Sequence, residues 1–272
     1  MAQKRSITPF RYPGAKSKWL PKLMVPIAKI LEKKGRFSDC FVGGGSVLLE
    51  VAAKYPKAEL FANDKDRGVY CFWKIVADSN RSQLDKLFAL MQTKPTIKLF
   101  NELRQDFDTA DEVQCAYRCI FFNRTTFSGI ARSGPIGGHE QKSKYTVDCR
   151  YNAGKLIKKI EQCRKLLVGR TTVESYDIKD YPYLIHSHEP AYLDPPYYIK
   201  GDMLYTEKMN EFDHQNMANI LKQRDNWVLS YDDCPEVRQF YQGKNIEVLS
   251  VRYCINGEKE DWKETGELII TP

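Results

Sequence analysis

Histidine is scarce in this sequence: four in 272 residues, at 139, 186, 188 and 214. His186 and His188 flank a serine beside Glu189, but no third and fourth ligand follows at a suitable spacing, so no metal centre is expected. The eight cysteines are scattered and include no Cys-x-x-Cys pair, which argues against structural zinc and against a redox pair. Cys115 and Cys119 share a helix face and read as buried thiols. Nowhere do about 18 apolar residues run together, and "MAQKRSITPFRYPGAK" places no apolar core after its charges. Neither a membrane span nor a secretory signal is expected, and the cytoplasm is the default location.

What is present is the composition of a folded protein: 42% hydrophobic residues, with 16 Tyr, 13 Phe and 4 Trp. The length suits one sizeable domain with a smaller one inserted or appended. The net charge of +7 is unevenly spread. Residues 1–36 carry ten Lys/Arg against Glu32 alone, and residues 124–170 carry eleven against Glu140, Asp148 and Glu161. Two basic segments in an otherwise acidic chain read either as walls of a polyanion site or as solvated helix faces.

Along the chain, "KSKWLPKLMVPIAKILEKKG" has helical spacing with Pro26 as a kink. "RFSDCFVGGGSVLLEVAAKY" reads as strand, glycine turn and helix, and "KAELFANDKD" as a second strand ending in acids. That order, with Asp64 about twenty residues past the glycines, is the pattern of a nucleotide-binding crossover. Leu48 stands where a third glycine would complete the dinucleotide fingerprint. Residues 68 to about 122 read as helical, and the Gly-, basic- and aromatic-rich stretch after them as a long hairpin or loop. A helix near 152–168 then resumes an alternation with strands at "TTVES", "PAYLD", "NWVLSYD", "IEVLSVRY" and "ELIIT". The layout predicts an α/β sheet split by a mostly helical insertion.

"YLDPPYY", residues 192–198, has two readings. Proline fixes φ and restricts the residue before it, so Asp-Pro-Pro is a stiff end to a buried strand. The same stiffness holds one carboxylate and one main-chain carbonyl at a fixed separation beside an aromatic ring.

Taken in order, "RYPGAKSKWL", "FVGGGSVLLEV", "FANDKD", "NRTTFSGIAR", "ESYD", "YLDPPYY", "LSYDDCPEVRQFY" and "TGELIITP" resemble the Dam-like adenine-N6 DNA methyltransferases of the D12 class, alpha group, over essentially the whole chain. The resemblance implies a Rossmann-like sheet that uses S-adenosylmethionine and needs no metal, formed by residues 1–67 and 151–272. It also implies a target-recognition unit over 68–150 carrying a β-hairpin near 124–150. Tyr12, Lys16, Phe41, Gly43, Gly45, Asp64, Asp177 and Asp194 match positions that bind the methyl donor, and Asp194, Pro195, Pro196 and Tyr197 match the catalytic tetrad. Arg124, Ser128, Arg132, Lys142, Lys144 and Tyr145 are the expected DNA contacts, with His139 and Gln141 also within the hairpin. Arg132 aligns with an arginine that reads guanine in members recognising GATC, whereas "GPIGGHEQKSKYTVDCRYN" departs from their hairpin. The implied partners are double-stranded DNA and a cognate restriction endonuclease, with no membrane.

The tetrad's chemistry agrees. An adenine amine is a poor nucleophile because its lone pair is delocalised into the ring. Two acceptors, the Asp194 carboxylate and the Pro195 carbonyl, localise it by taking one N–H each. Tyr197 offers a ring face to a base turned out of the duplex, with Tyr198 and Phe10 as further aromatic wall. Methylation of cytosine N4 or of an RNA base, a nicotinamide-dependent oxidoreductase and a DNA-binding protein without catalysis stand as alternatives.

Overall fold

The computed structural model describes residues 7–11, 16–32, 35–105, 111–199, 209–254 and 262–272. A 3-10 turn at Lys16–Lys18 leads into α1 (Leu20–Leu31), followed by β1 (Arg36–Asp39), α2 (Ser46–Lys54) and β2 (Glu59–Asn63). Helices α3 (Arg67–Ala77), α4 (Ser82–Met91), α5 (Ile97–Gln105) and α6 (Glu112–Thr125) come next, then a long loop and α7 (Ala153–Leu167). The remainder is β3 (Thr171–Glu174), α8 (Pro182–His186), β4 (Ala191–Leu193), α9 (Glu211–Lys222), β5 (Trp227–Asp232), α10 (Pro235–Phe240), β6 (Asn245–Cys254) and β7 (Trp262–Thr271).

The seven strands form one sheet in the order β3-β2-β1-β4-β5-β7-β6. The first five are parallel, and β7 runs antiparallel between β5 and β6. Parallel strands covered on both faces must be apolar throughout. Accordingly Ala191, Tyr192 and Leu193 of β4 are all buried, as are Trp227 to Tyr231 of β5. Each fully buried side chain of this size contributes about 1.5–3 kcal/mol. Helix starts follow local sequence: Asp66, Asp111 and Asn152 cap α3, α6 and α7 by accepting from the first-turn N–H groups, worth about 1 kcal/mol each. Helix α1 passes through Pro26 without interruption, and its face of Leu23, Met24, Ile27 and Leu31 is buried.

The helical insertion between β2 and β3 shares a core with the sheet. One continuous apolar cluster includes Phe37 and Leu60 of the strands together with Trp73, Leu87, Phe100 and Phe121 of the helices.

The hairpin expected near 124–150 does not form as paired strands. Between α6 and α7 there is a single isolated bridge, Thr126 to Pro135, among turns. The reason lies in the backbone: Ser128, Gly129, Gly137, Gly138 and Gln141 all have positive φ, which an extended ladder cannot include. Side chains hold the loop instead. Gln141 Nε2 donates to the Ile136 carbonyl at 2.8 Å and its Oε1 accepts from Val147 N at 2.7 Å. The Arg104 guanidinium donates to the carbonyls of Ala131 and Ser133 at 2.6 and 2.9 Å.

Candidate active site

The strand order reverses between β1 and β4, and in open α/β sheets ligands bind beyond the carboxyl ends of the strands at such a point. Cys40 N donates to the Tyr192 carbonyl at 2.9 Å, so the turn after β1 and the Asp-Pro-Pro-Tyr unit after β4 leave the sheet side by side. A cleft of about 510 Å³ opens at the other end, around Lys57, Glu59, Gly169 and Thr171. It lies at the start of β2 and β3 and carries none of the expected site residues.

The turn Phe41–Gly45 is shaped by close approach. Gly43 and Gly45 have φ of 42° and 70°, and a Cβ on Gly45 would lie 2.5 Å from the Trp73 ring. Trp73 Nε1 donates to the Gly43 carbonyl at 2.8 Å, and Thr8 Oγ1 donates to the Gly44 carbonyl. Asp64, just past β2, accepts from Gly43 N at 2.8 Å and from Asp66 N at 3.0 Å. Asn63 ties three strand ends together: its Nδ2 donates to the carbonyls of Cys40 and Tyr176 at 3.2 and 3.1 Å, and its Oδ1 accepts from Tyr176 N at 2.8 Å. Asp177 thereby stands beside the same rim, accepting from Lys65 Nζ at 3.0 Å. Burial acts to raise the Asp177 pKa, but Lys65 and the Lys179 N–H outweigh it and hold the carboxyl below its usual range.

Sequence reasoning missed Asp39, the last residue of β1. It is 2% exposed, and one oxygen accepts from Leu48 N at 3.2 Å. Its Oδ1 is buried without a hydrogen-bond partner. Burial first, and then the charges of Asp194 and Asp64, push its pKa up to about 8 against the bonds from Leu48 and Phe41. The signal was an acid directly before the glycine turn, in "FSDCFVGGGS".

Beyond β4, four polar groups converge. Lys16, 5% exposed, sets its Nζ 2.8 Å from Asp194 Oδ1 and in contact with Glu267 Oε1. Lys16 Nζ also donates to the Tyr197 hydroxyl at 3.3 Å, and that hydroxyl donates to Glu267 Oε1 at 3.3 Å. Burial alone would favour loss of the lysine's proton, but Asp194, Tyr197 and Glu267 outweigh it and raise the pKa well above the usual value. The Asp194 carboxyl is raised by burial to about 6, with Lys16 pulling it down and Glu267 pushing it up. On β5, Asp232 accepts from the N–H groups of Tyr198 and Ile199 at 2.9 and 3.1 Å, which fixes the turn that follows the tetrad. Pro195 is buried, whereas Pro196 and Tyr197 are half-buried. Glu267 was not singled out from sequence, although an acid inside the apolar strand "ELIIT" was the available signal.

Other expected contacts are distributed differently. Tyr12 lies outside the described residues. Phe10 belongs to the core, packed edge-on against Phe72 with ring centroids 4.6 Å apart. The Arg124 guanidinium donates to the Pro9 carbonyl, and burial followed by Arg11 lowers its pKa to about 10. Next to it, Asn123 accepts from Arg11 N at 2.8 Å and donates to the Arg11 carbonyl at 2.7 Å. Much of "NRTTFSG" therefore anchors the segment before Lys16. Ser128, Arg132, His139, Lys142, Lys144 and Tyr145 are exposed on the loop, as is Phe127 at 70%. In the second basic segment Arg164 and Arg170, like Arg124, are spent on main-chain carbonyls, while Lys155, Lys158 and Arg150 face solvent. Among the described residues no helix is long and apolar enough to cross a membrane.

The chain is 24% identical over 97% of its length, and 98% of the relative's, to the type II methyltransferase M.MjaIII of Methanocaldococcus jannaschii. It is 23% identical over 98% of its length, and 96% of the relative's, to the type II methyltransferase M1.LlaDCHI of Lactococcus lactis subsp. cremoris. Among solved structures, a precorrin-6y C5,15-methyltransferase from Geobacter metallireducens GS-15 aligns with a TM-score of 0.38 and 11% identity, over 92% of this chain and 86% of that one. The family model for D12 class N6 adenine-specific DNA methyltransferases matches residues 12–255. The chain therefore belongs to the D12 class N6 adenine-specific DNA methyltransferase family.

Proposed function

We propose that the protein methylates adenine N6 within a short specific sequence of double-stranded DNA, acting on a base turned out of the helix. The observation that carries this reading is the placement of Asp194 and Tyr197 beside the turn Phe41–Gly45, on adjacent strands of the switch point. The family implies S-adenosylmethionine as donor. The residues fit it: Gly43 and Gly45 turn the chain at positive φ directly after β1, Asp64 stands against that turn through Gly43 N where the family resemblance puts the acid for ribose hydroxyls, and Asp39 Oδ1 is buried without a hydrogen-bond partner. Phe41, Gly43, Gly45, Asp64 and Asp177 hold it in this reading. When bound, S-adenosylmethionine supplies an electrophilic methyl group on a sulfonium sulfur.

The chain's own contribution is orientation. The Asp194 carboxylate and the Pro195 carbonyl each accept one N–H of the adenine amine, which draws its lone pair out of the ring. Asp194 must be ionised to accept in this way, and Lys16 favours that form. The Tyr197 ring stacks on the extruded base, a contact of about 1–3 kcal/mol. Residues 68–150 serve as the recognition unit, with Arg132, Lys142, Lys144 and Tyr145 on the exposed loop directed to DNA and Ser128 beside them. GATC is the leading candidate site, and a cognate restriction endonuclease is the matching partner.

The test is methylation mapping by single-molecule sequencing of DNA from a host expressing the wild type or Asp194→Ala. N6-methyladenine in one motif, lost in the variant, is the expected result. A loss of one such acceptor corresponds to about 10²–10³-fold in rate. Methylation on cytosine N4 alone, or an active Asp194→Ala, overturns the reading.

A further inference from the structure

The tip of the long loop after α6 is closed at its base and gripped from outside. At the base, Phe127 N donates to the Gly134 carbonyl at 3.1 Å and Ile136 N to the Thr125 carbonyl at 2.8 Å, on either side of the bridge from Thr126 to Pro135. Within the tip, Ser133 N donates to the Ile130 carbonyl at 2.9 Å, which closes a four-residue turn with Ala131 and Arg132 at its centre. Arg132 is exposed there.

The grip comes from α5. Arg104, in the last turn of that helix, donates Nη1 to the Ala131 carbonyl at 2.6 Å and Nη2 to the Ser133 carbonyl at 2.9 Å. The two acceptors belong to the residues immediately before and after Arg132. The guanidinium lies against two buried rings, 5.0 Å from the Phe100 centroid and 4.3 Å from that of Phe122. Those rings meet edge to face at 5.2 Å. A guanidinium is a planar fork that stacks on aromatic faces while its edge donates in fixed directions. Phe100 and Phe122 are part of the core shared with the sheet, so the body of the protein, and not the loop, sets the direction of the fork.

Holding the carbonyls on both sides of Arg132 fixes the main chain from which its side chain projects. A base-reading arginine depends on this, because two N–H groups must reach guanine O6 and N7 together. Order established on folding is not lost again on binding. The tip already has its own closing main-chain bonds, so the two from Arg104 are additional to those that keep the loop together.

We infer that Arg104 is a positioning residue for target recognition: through the carbonyls of Ala131 and Ser133 it holds the turn that carries Arg132 in the orientation that reads a base. This rests on the proposed role of Arg132 in DNA recognition. Arg104 acts through the main chain of that turn.

Methylation rates on duplexes carrying the mapped site and each of its single-base variants test it, for the wild type, Arg104→Met, Arg132→Ala and the double variant. Methionine keeps an unbranched stem against Phe100 and Phe122 and removes the donors. Arg104→Met should relax discrimination about tenfold at the same base pair as Arg132→Ala, within the range of one bidentate base contact. Discrimination at the other positions should be unchanged. In the Arg132→Ala background it should add no further relaxation, since two residues that act through one contact are not additive. Arg104→Lys, which keeps the charge but replaces the fork by a point donor, should relax the same base pair, and it carries the test if the methionine variant does not fold. An equal loss on every sequence, further relaxation in the double variant, or unchanged discrimination in either folded Arg104 variant overturns the inference. Wild-type discrimination at every base pair in Arg132→Ala would instead remove its premise, and absence of adenine methylation by the wild type would refute the function beneath both.

Discussion

Trp73 Nε1 donates to the Gly43 carbonyl at 2.8 Å, so a helix of the insertion grips the turn that ends the first strand. The same ring occupies the space that a Cβ on Gly45 would need. Trp73→Phe should lose this bond and leave a cavity, costing about 2–4 kcal/mol of stability. Affinity for S-adenosylmethionine should fall at least tenfold because the turn loses its brace. Thermal unfolding and calorimetric titration check the two effects, and intact affinity in a folded variant would show that Trp73 serves the core alone.

Asp39 gives a pH-dependent prediction. Its folded pKa of about 8 stands above the ordinary 3.8, so the folded state holds the proton more tightly than the unfolded chain. The stability it contributes is present below the unfolded value and is lost as pH rises through about 8. Asp39→Asn should therefore be more stable than wild type at pH 8.5, by about 1–3 kcal/mol, with the difference shrinking towards pH 5. Urea unfolding of the donor-free protein at both pH values measures it.

Asn123 joins the end of α6 to the segment before Lys16 through two bonds with the main chain of Arg11. Asn123→Ala removes both and leaves buried groups unpaired, a cost of about 2–4 kcal/mol. Since the freed segment also carries Lys16, the turnover number should fall more than the Michaelis constant for DNA rises. Steady-state kinetics beside thermal unfolding would reveal a loss of stability alone.

Arg132 is exposed on the long loop, where a guanidinium can bridge guanine O6 and N7. Arg132→Ala should relax discrimination at one base pair by about 1–3 kcal/mol. Lys18→Ala should weaken binding to every sequence alike and reduce the salt slope by up to about one unit. Methylation rates on single-base variants of the mapped site distinguish these, and one common factor for Arg132→Ala would assign it to the backbone.

The sheet was legible because its strands are short apolar runs punctuated by glycine, proline and acids, and all seven fall where that pattern put them. The place of Asp-Pro-Pro-Tyr at the end of a buried strand was legible because the unit is contiguous and stiff. The loop after α6 was not, because residues such as Gln141 adopt positive φ for tertiary reasons that no local pattern reveals. Nor was the anchoring role of Arg124, since an arginine donating to a main-chain carbonyl looks in sequence like one facing phosphate. Glu267 escaped notice because its meaning depends on Lys16, which reaches it only through the fold.

Strand β7 lies between β5 and β6 and sets Glu267 against Lys16, which comes from the opposite end of the chain. Contacts that span so much sequence close slowly. During refolding, helical signal and the parallel half of the sheet should therefore recover before catalysis does, and a half-formed enzyme is chemically silent rather than indiscriminate on the genome.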